Sequence, residues 1–250
     1  MTTTERPAKP LGIKAYGHIA HLSGSRMGPG DHHVSPGQER IATERVRDRH
    51  DIVIVQEKLD GSCTAVARIG DDVVALGRSG YLASSSPYRQ HHFFADWVAD
   101  RRDVFLALLA DGERACGEWL AQAHGTRYDL TTRAPWVLFD IIRGGDPAKG
   151  GLRTPAEAVR ERAIRLDLRT PATLNVNGQP IGIPEALKAL GTFGHYGAQD
   201  PVEGAVWRVE RKGVVDFLCK YVRPDKVDGA YLPDVERSAN PGETVWNWQP

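Results

Sequence analysis

The stretch Glu57-Lys58-Leu59-Asp60-Gly61-Ser62 combines residue types that can carry covalent chemistry. A lysine at the end of the apolar run Ile52 to Gln56 can be held beside a nucleotide phosphate, and the glycine after it lets backbone come close to a ligand. An ordinary lysine has a pKa near ~10.4 and is a poor nucleophile at neutral pH, so catalysis through Lys58 requires nearby cations or desolvation. By itself KxDG is equally the pattern of a surface lysine before a turn. Further candidates follow along the chain: Arg78 in GRSG, Glu118 in Gly117-Glu118-Trp119-Leu120, Phe139 in WVLFDII, Glu203 and Val206 in Glu203-Gly204-Ala205-Val206, and Lys220 in FLCKYVR.

The elements that must position these residues are legible from periodicity and turn signals. Ile52–Gln56, Cys63–Ile69 and Asp71–Leu76 read as strands, the last two joined by a turn at Gly70-Asp71, which predicts an antiparallel cluster. Apolar residues from Phe93 to Leu109 recur at helical spacing, so one or two helices are expected within Tyr88–Ala110. Strands resume at Glu113–Leu120 and, behind Pro135, at Trp136–Ile142. Gly144, Gly145, Gly150 and Gly151 mark a loop. Thr154 as N-cap, Pro155 in the first turn and Glu157 at the third position predict a capped helix to about Leu168. A shorter helix is expected at Pro184–Leu190, then a strand pair, Ala205–Glu210 and Val214–Val222, joined at Lys212-Gly213. Leu11 to Asp51 shows no sustained period and reads as loops with short strands or turns. Strands and helices without regular βαβ alternation indicate an α+β fold.

Composition bounds the functions open to such a fold. The chain has 250 residues and is 41% hydrophobic and 26% charged, within the globular range and large enough for one large domain or two small ones. Lys plus Arg and Asp plus Glu both number 32, so any nucleic-acid binding must come from a local basic surface. Arg208, Arg211, Lys212, Lys220, Arg223 and Lys226 outnumber the acids among them and are a candidate surface; an ordinary charged strand pair is the alternative. The apolar run Val104–Ala110 falls far short of the ~20 residues of a membrane span. The N-terminus reads as a frayed tail rather than a signal peptide, and Cys63, Cys116 and Cys219, odd in number and widely spaced, suit a reducing cytoplasm. Asp31-His32-His33 with His18 and His21 could ligate a metal, although loop histidines are more often polar surface. Trp246 and Trp248 could stack on bases or pin the C-terminal tail.

Taken in order, the chemistry-bearing segments resemble the covalent nucleotidyltransferase superfamily of ATP-dependent ligases and capping enzymes, and look most like an RNA ligase of the RNA ligase 2 type. Lys58 matches the lysine that becomes adenylylated in that family's first motif, with Asp60 and Gly61 completing KxDG. The resemblance implies that Arg78 contacts a ribose or the polynucleotide end, that Glu118 holds a ribose hydroxyl, and that Phe139 stacks on adenine with Val206 on the other face of the base. It places Glu203 near the metal and Lys220 on the phosphates, and it assigns Glu57 to the adenine amino group. One departure is Leu218, which stands where the family often has the first lysine of a KxK pair, so that a single phosphate lysine remains unless Arg223 or Lys226 substitutes. Alternation puts Glu203 with Ala205 on one strand face, and Leu218 with Lys220, so that both charged groups can point into a common cleft.

The implied fold is an antiparallel-sheet nucleotidyltransferase domain, the ATP-grasp-like adenylation domain of ligases, with flanking helices and without a C-terminal OB domain. Its expected organisation is a disordered tail over 1–10, the nucleotidyltransferase domain over 11–235 and a C-terminal tail over 236–250. The implied activity is ATP- and Mg²⁺-dependent joining of 5′-phosphate and 3′-hydroxyl RNA ends through lysyl-AMP, with Mn²⁺ as a possible substitute. A DNA ligase, a capping-type enzyme or a non-catalytic binding module with the same fold are the alternatives.

Overall fold

The computed structural model describes residues 9–145, 151–233 and 242–250; the expected tail at residues 1–8, Gly150 of the glycine loop and the first part of the tail from 236 lie outside them. Strands β1 (Ala20–His21), β2 (Asp51–Lys58), β8 (Gly204–Arg211) and β9 (Val214–Val222) form one sheet in the order β1-β9-β8-β2. A second sheet has the order β4-β3-β5-β6-β7, from β3 (Ser62–Ile69), β4 (Asp72–Gly77), β5 (Glu113–Trp119), β6 (Trp136–Arg143) and β7 (Leu152–Arg153). All pairings are antiparallel except that of β1 with β9. Among the described residues five α-helices flank the sheets: α1 (Pro36–Thr43), α2 (Arg89–Ala99), α3 (Arg102–Leu108), α4 (Ala156–Arg165) and α5 (Ile183–Leu190). The α+β class and the antiparallel strands read from the sequence are therefore present.

Each sheet buries one face under helices. Val66, Ala115, Trp119, Trp136, Leu138 and Ile141 of the second sheet pack against Phe94, Trp97, Val98, Phe105, Val159 and Ala163 of α2, α3 and α4. Trp119 and Trp136 are fully buried, and aromatic rings of this size dominate the area such a core removes from water. Val53, Val55, Ala205, Trp207, Val209 and Cys219 of the first sheet pack against Ala42 of α1 and Ala186 of α5. The opposite faces of the two sheets are left to line a cleft. The chain passes from β2 to β3, and so from one sheet to the other, through Leu59-Asp60-Gly61. That crossing places Lys58 at their junction.

Two local expectations are corrected. Helix α1 falls within the segment read as loops; Ser35 Oγ accepts the Gln38 N–H at 3.3 Å while Gln38 Oε1 accepts the Ser35 N–H at 3.2 Å, a capping box with proline in the first turn. Helix α4 begins one residue later than Thr154 predicts: Pro155 is the N-cap, in extended conformation, and no side chain of the preceding residues caps the helix. Glu210 of β8 does so instead, accepting the Ala156 N–H at 2.7 Å, where a carboxylate also complements the helix dipole. The same carboxylate receives Arg208 Nε at 2.8 Å, so the cap doubles as a tie between the two layers. The helix stops at Arg165 rather than Leu168, ahead of Asp167 at φ 52°.

Candidate active site

A cleft of about 770 Å³ opens at the junction, and Glu57, Lys58, Asp60, Gly61, Arg78, Glu118, Phe139, Glu203, Val206 and Lys220 all line it. Lys58 Nζ lies 2.6 Å from Glu203 Oε2. Gly61 donates its N–H to Glu118 Oε1 at 3.0 Å, which holds this carboxylate beside the lysine loop. On the other wall Val206 and Lys220 are paired across β8 and β9, so base-facing and phosphate-facing candidates sit side by side.

The directions of two side chains come from irregularities that alternation does not anticipate. Glu203 was expected to share a face with Ala205, but Ala205 packs into the core under α1 and α5 while Glu203 reaches Lys58. Gly204, at φ 156°, turns the chain between them, and a Cβ there would overlap the Tyr221 carbonyl oxygen. Phe139 is the extra residue of a β-bulge: Leu138 pairs with Gly117 and Asp140 with Cys116. The bulge sends the half-buried Phe139 ring to the cleft, edge-on to Tyr16 at 5.1 Å, while Trp136, Leu138 and Ile141 point to the helices. Leu218 and Lys220 do share the cleft face.

Other residues act as braces. Asp60 Oδ2 accepts the Gly125 N–H at 3.0 Å and the Thr126 hydroxyl at 3.2 Å, and Lys226 Nζ lies 3.4 Å away. Tyr128 Oη accepts the Asp60 N–H at 3.0 Å. The Glu57 carboxylate accepts the His195 N–H at 3.0 Å, and alternation along β2 places it on the face opposite Lys58. Arg78 donates to the Gly17 carbonyl at 3.1 Å, tying the N-terminal segment to the rim.

Most cations of the expected basic surface are paired with acids or buried, while Lys212 stays exposed and Lys220 lines the cleft. Arg208 is buried against Asp140 and Glu210, Arg211 is clamped by Asp48 and Asp51, and Arg223 sits 3.4 Å from Asp225. Lys226 cannot stand in for the missing phosphate lysine, because its ammonium donates to the Gly125 and Pro201 carbonyls at 2.6 and 3.0 Å. These cations are consumed by buried or neighbouring acids, leaving Lys220 as the cleft lysine of β9. The segment His21–Arg26 is stapled to β9: His21 Nε2 is 3.0 Å from Asp31 and its Nδ1 is 2.6 Å from Ser25 Oγ, which also accepts the Val222 N–H at 2.9 Å. Trp248 packs 5.5 Å from Trp119 and Trp246 5.1 Å from Phe93, so both pin the C-terminal segment. Residues with no sequence signal also line the cleft, among them Lys14, Tyr16, His91 and His124.

Electrostatics explain how the lysine is stored. Burial acts to lower the Lys58 pKa, but Glu203, Glu118, the hydrogen bond to Glu203 and Asp60 outweigh it, and the net direction is up. Burial raises Glu203 despite Lys58, and pushes Glu118 up to about 7 against the pull of Lys58 and the Gly61 N–H. Burial, with repulsion from Lys58, lowers Lys220. Lys58 is thus a cation until the negative charge of Glu203 is drawn elsewhere. Among the described residues no group of three His, Cys, Asp or Glu side chains could hold a metal by itself. A carboxylate or two beside space for a polyphosphate is nonetheless the donor set that suits a hydrated Mg²⁺, which keeps several waters and takes its other oxygens from phosphate.

Comparison with known proteins follows this geometry. An RNA ligase family model matches residues 51–222, from the first residue of β2 to the last of β9. No curated protein matches by sequence. Similar solved structures include an archaeal ATP-dependent RNA ligase (18% identity, TM-score 0.45, covering 70% of this chain and 43% of that one). A Naegleria gruberi RNA ligase variant with ATP and Mn aligns at 17% identity and TM-score 0.47, over 70% of this chain and 51% of that one. A protein taken to be an ATP-dependent DNA ligase, from Aquifex aeolicus, aligns at 19% identity and TM-score 0.51, over 83% of this chain and 49% of that one. The chain therefore spans about half the length of these structures, and its likeness to the last is one of fold. The family match runs through both sheets and carries every cleft residue from Glu57 to Lys220, and on it the chain belongs to the RNA ligase family.

Proposed function

We propose that this chain is the nucleotidyl-transfer unit of an ATP-dependent ligase that seals RNA breaks. The observation that carries the reading is the 2.6 Å Lys58–Glu203 pair at the floor of a cleft whose walls supply Phe139, Val206, Glu118 and Lys220. Lys58 Nζ, once deprotonated, attacks the α-phosphorus of ATP, forming an N–P bond as pyrophosphate leaves. A 5′-phosphate oxygen of the RNA then takes the AMP, the N–P bond breaks, and Lys58 recovers a proton. The 3′-hydroxyl oxygen attacks the activated 5′-phosphorus, releasing AMP and closing the strand. Phe139 and Val206 clamp the adenine, Glu118 holds a ribose hydroxyl, Lys220 meets phosphate oxygens, and Arg78 at the rim meets the ribose or the incoming end. Glu203, with Glu118 beside it, would hold a divalent cation, Mg²⁺ or Mn²⁺, whose charge neutralises the phosphates. Giving up its carboxylate partner is what would let the buried Lys58 become the amine. Three free cysteines fit residence in a reducing cytoplasm.

Incubation with α-labelled ATP and Mg²⁺ or Mn²⁺, followed by a denaturing gel, tests the reading. A labelled band that needs ATP rather than GTP and is lost in Lys58→Ala is expected, as is sealing of RNA ends in preference to matched DNA ends. Labelling that persists in Lys58→Ala would place the nucleophile elsewhere. A folded wild-type protein that neither labels nor carries AMP by intact mass would refute the ligase reading, and preference for DNA ends would change the substrate.

A further inference from the structure

A hydrogen-bonded chain that the ligase reading leaves unused runs along the cleft wall. Ser62, directly after Gly61, has its Oγ 2.9 Å from His91 Nε2, and His91 Nδ1 lies 2.7 Å from Ser86 Oγ. Ser86 Oγ also accepts the backbone N–H of Tyr88 at 3.2 Å. Ser62, Ser86 and His91 all line the cavity that contains Lys58. His91 stands in the first turn of α2 and Ser62 opens β3, so packing of that helix on its sheet builds the contact.

The proton positions follow from what each atom can do. Burial, with smaller contributions from His124 and His92, brings His91 down to about 4, so at neutral pH its ring carries one N–H and one acceptor nitrogen. Either ring tautomer makes both bonds and frees one serine proton; in the tautomer where the Ser86 hydroxyl donates to Nδ1 and Nε2–H donates to Ser62 Oγ, the proton left over is that of Ser62, nearer to Lys58 in sequence and opening β3 on the cleft wall. Ser62 then accepts on its protein side, and its own proton is left for the cleft. The cavity also holds Lys58, Arg78 and Lys220, cations that draw an anion whose oxygens only accept. We propose that Ser62 donates a hydrogen bond to a phosphoryl oxygen bound beside Lys58, and that His91, backed by Ser86, is the positioning residue that aims it. This inference rests on the ligase reading. The phosphoryl group has two sources with the same chemistry: the α-phosphate of ATP and the 5′-phosphate of the RNA.

Single-turnover rates of the two half-reactions, lysyl-AMP formation from ATP and AMP transfer from preformed lysyl-AMP to 5′-phosphorylated RNA, test it in the full chain. Ser62→Ala is expected to slow one of them about 10- to 100-fold, the worth of a hydrogen bond to a charged oxygen. Ser62→Thr, which keeps the hydroxyl, should stay within a few-fold of wild type. His91→Ala should slow the same half-reaction, and the double variant Ser62→Ala/His91→Ala should lose no more than Ser62→Ala alone. Loss in the first half-reaction assigns the oxygen to ATP, and loss confined to the second assigns it to the RNA end. Wild-type rates for Ser62→Ala in both, or losses that multiply in the double variant, would overturn the relay while leaving the ligase reading intact. Failure of the wild-type protein to form lysyl-AMP would remove both. Thermal midpoints of all variants separate these outcomes from unfolding.

Discussion

Glu118→Gln isolates the electrostatic cost of the cleft. Burial moves this carboxyl from its ordinary 4.5 up to about 7, with Glu203 and Asp60 adding to the rise and Lys58 and the Gly61 N–H opposing it. Between those two values the folded protein keeps a proton that the unfolded chain has released, so stability falls as pH rises through the window and levels off above it. At about 1.4 kcal/mol per tenfold change in proton affinity, the ionised carboxylate costs the fold about 3 kcal/mol above the window. Glu118 is partly exposed to the cleft, and solvent screening reduces the expected effect to about 1–2 kcal/mol. Glutamine keeps an oxygen to accept the Gly61 N–H, which lies 3.0 Å from Oε1, and loses only the charge. The variant should match wild type near about pH 4.5 and be more stable by about 1–2 kcal/mol near about pH 8, a midpoint gain of roughly 2–8 °C for a chain of this size. Urea unfolding of both proteins across this range measures the difference directly. A difference that does not change with pH, or a variant less stable than wild type near about pH 8, would refute the assignment of a strained carboxylate. Lysyl-AMP formation should fall in the same variant, the signature of a residue kept for function at the expense of stability.

Phe139→Ala should weaken ATP binding by roughly 5- to 100-fold, the range for loss of one base–aromatic stack, as read by titration calorimetry; unchanged affinity would return the ring to a packing role beside Tyr16. Gly204→Ala should destabilise the protein by more than about 1–3 kcal/mol, because the new methyl meets the Tyr221 carbonyl in a backbone conformation that alanine resists. Chemical denaturation checks it, and a wild-type midpoint would show that β8 turns at Glu203 by other means.

The seven longer strands of the two sheets, the turns between them and the helices of the central segment were legible because each depends on a local pattern, whereas the two-residue strands β1 and β7 carry no pattern of their own. Lys212 at φ 52° and Gly213 at φ 75° form the predicted turn between β8 and β9, and the apolar residues of α2 and α3 do recur on one face. Helix α1 was also written locally, in Ser35-Pro36 followed by Gln38, but its short and mostly polar span carries little periodicity. Helix α4 was misread at its start because the cap comes from Glu210, more than fifty residues away in sequence.

The chemistry-bearing residues from Glu57 to Lys220, and with them the family, were determined by sequence alone, since residue type and order along the chain survive any folding; the other residues of the cleft were not. Their directions and partners belong to the tertiary structure. Phe139 reaches the cleft through a bulge against β5, and Glu203 meets Lys58 because Gly204 passes close to the backbone of β9. Formal charge counts Arg208, Arg211 and Lys226 as a basic surface, whereas folding sets each against Asp140, the Asp48–Asp51 pair or Asp60. Partners that far apart in sequence meet only when the sheets assemble, and it is the low dielectric of that assembly, rather than the count of charges, that sets which cations remain for a substrate.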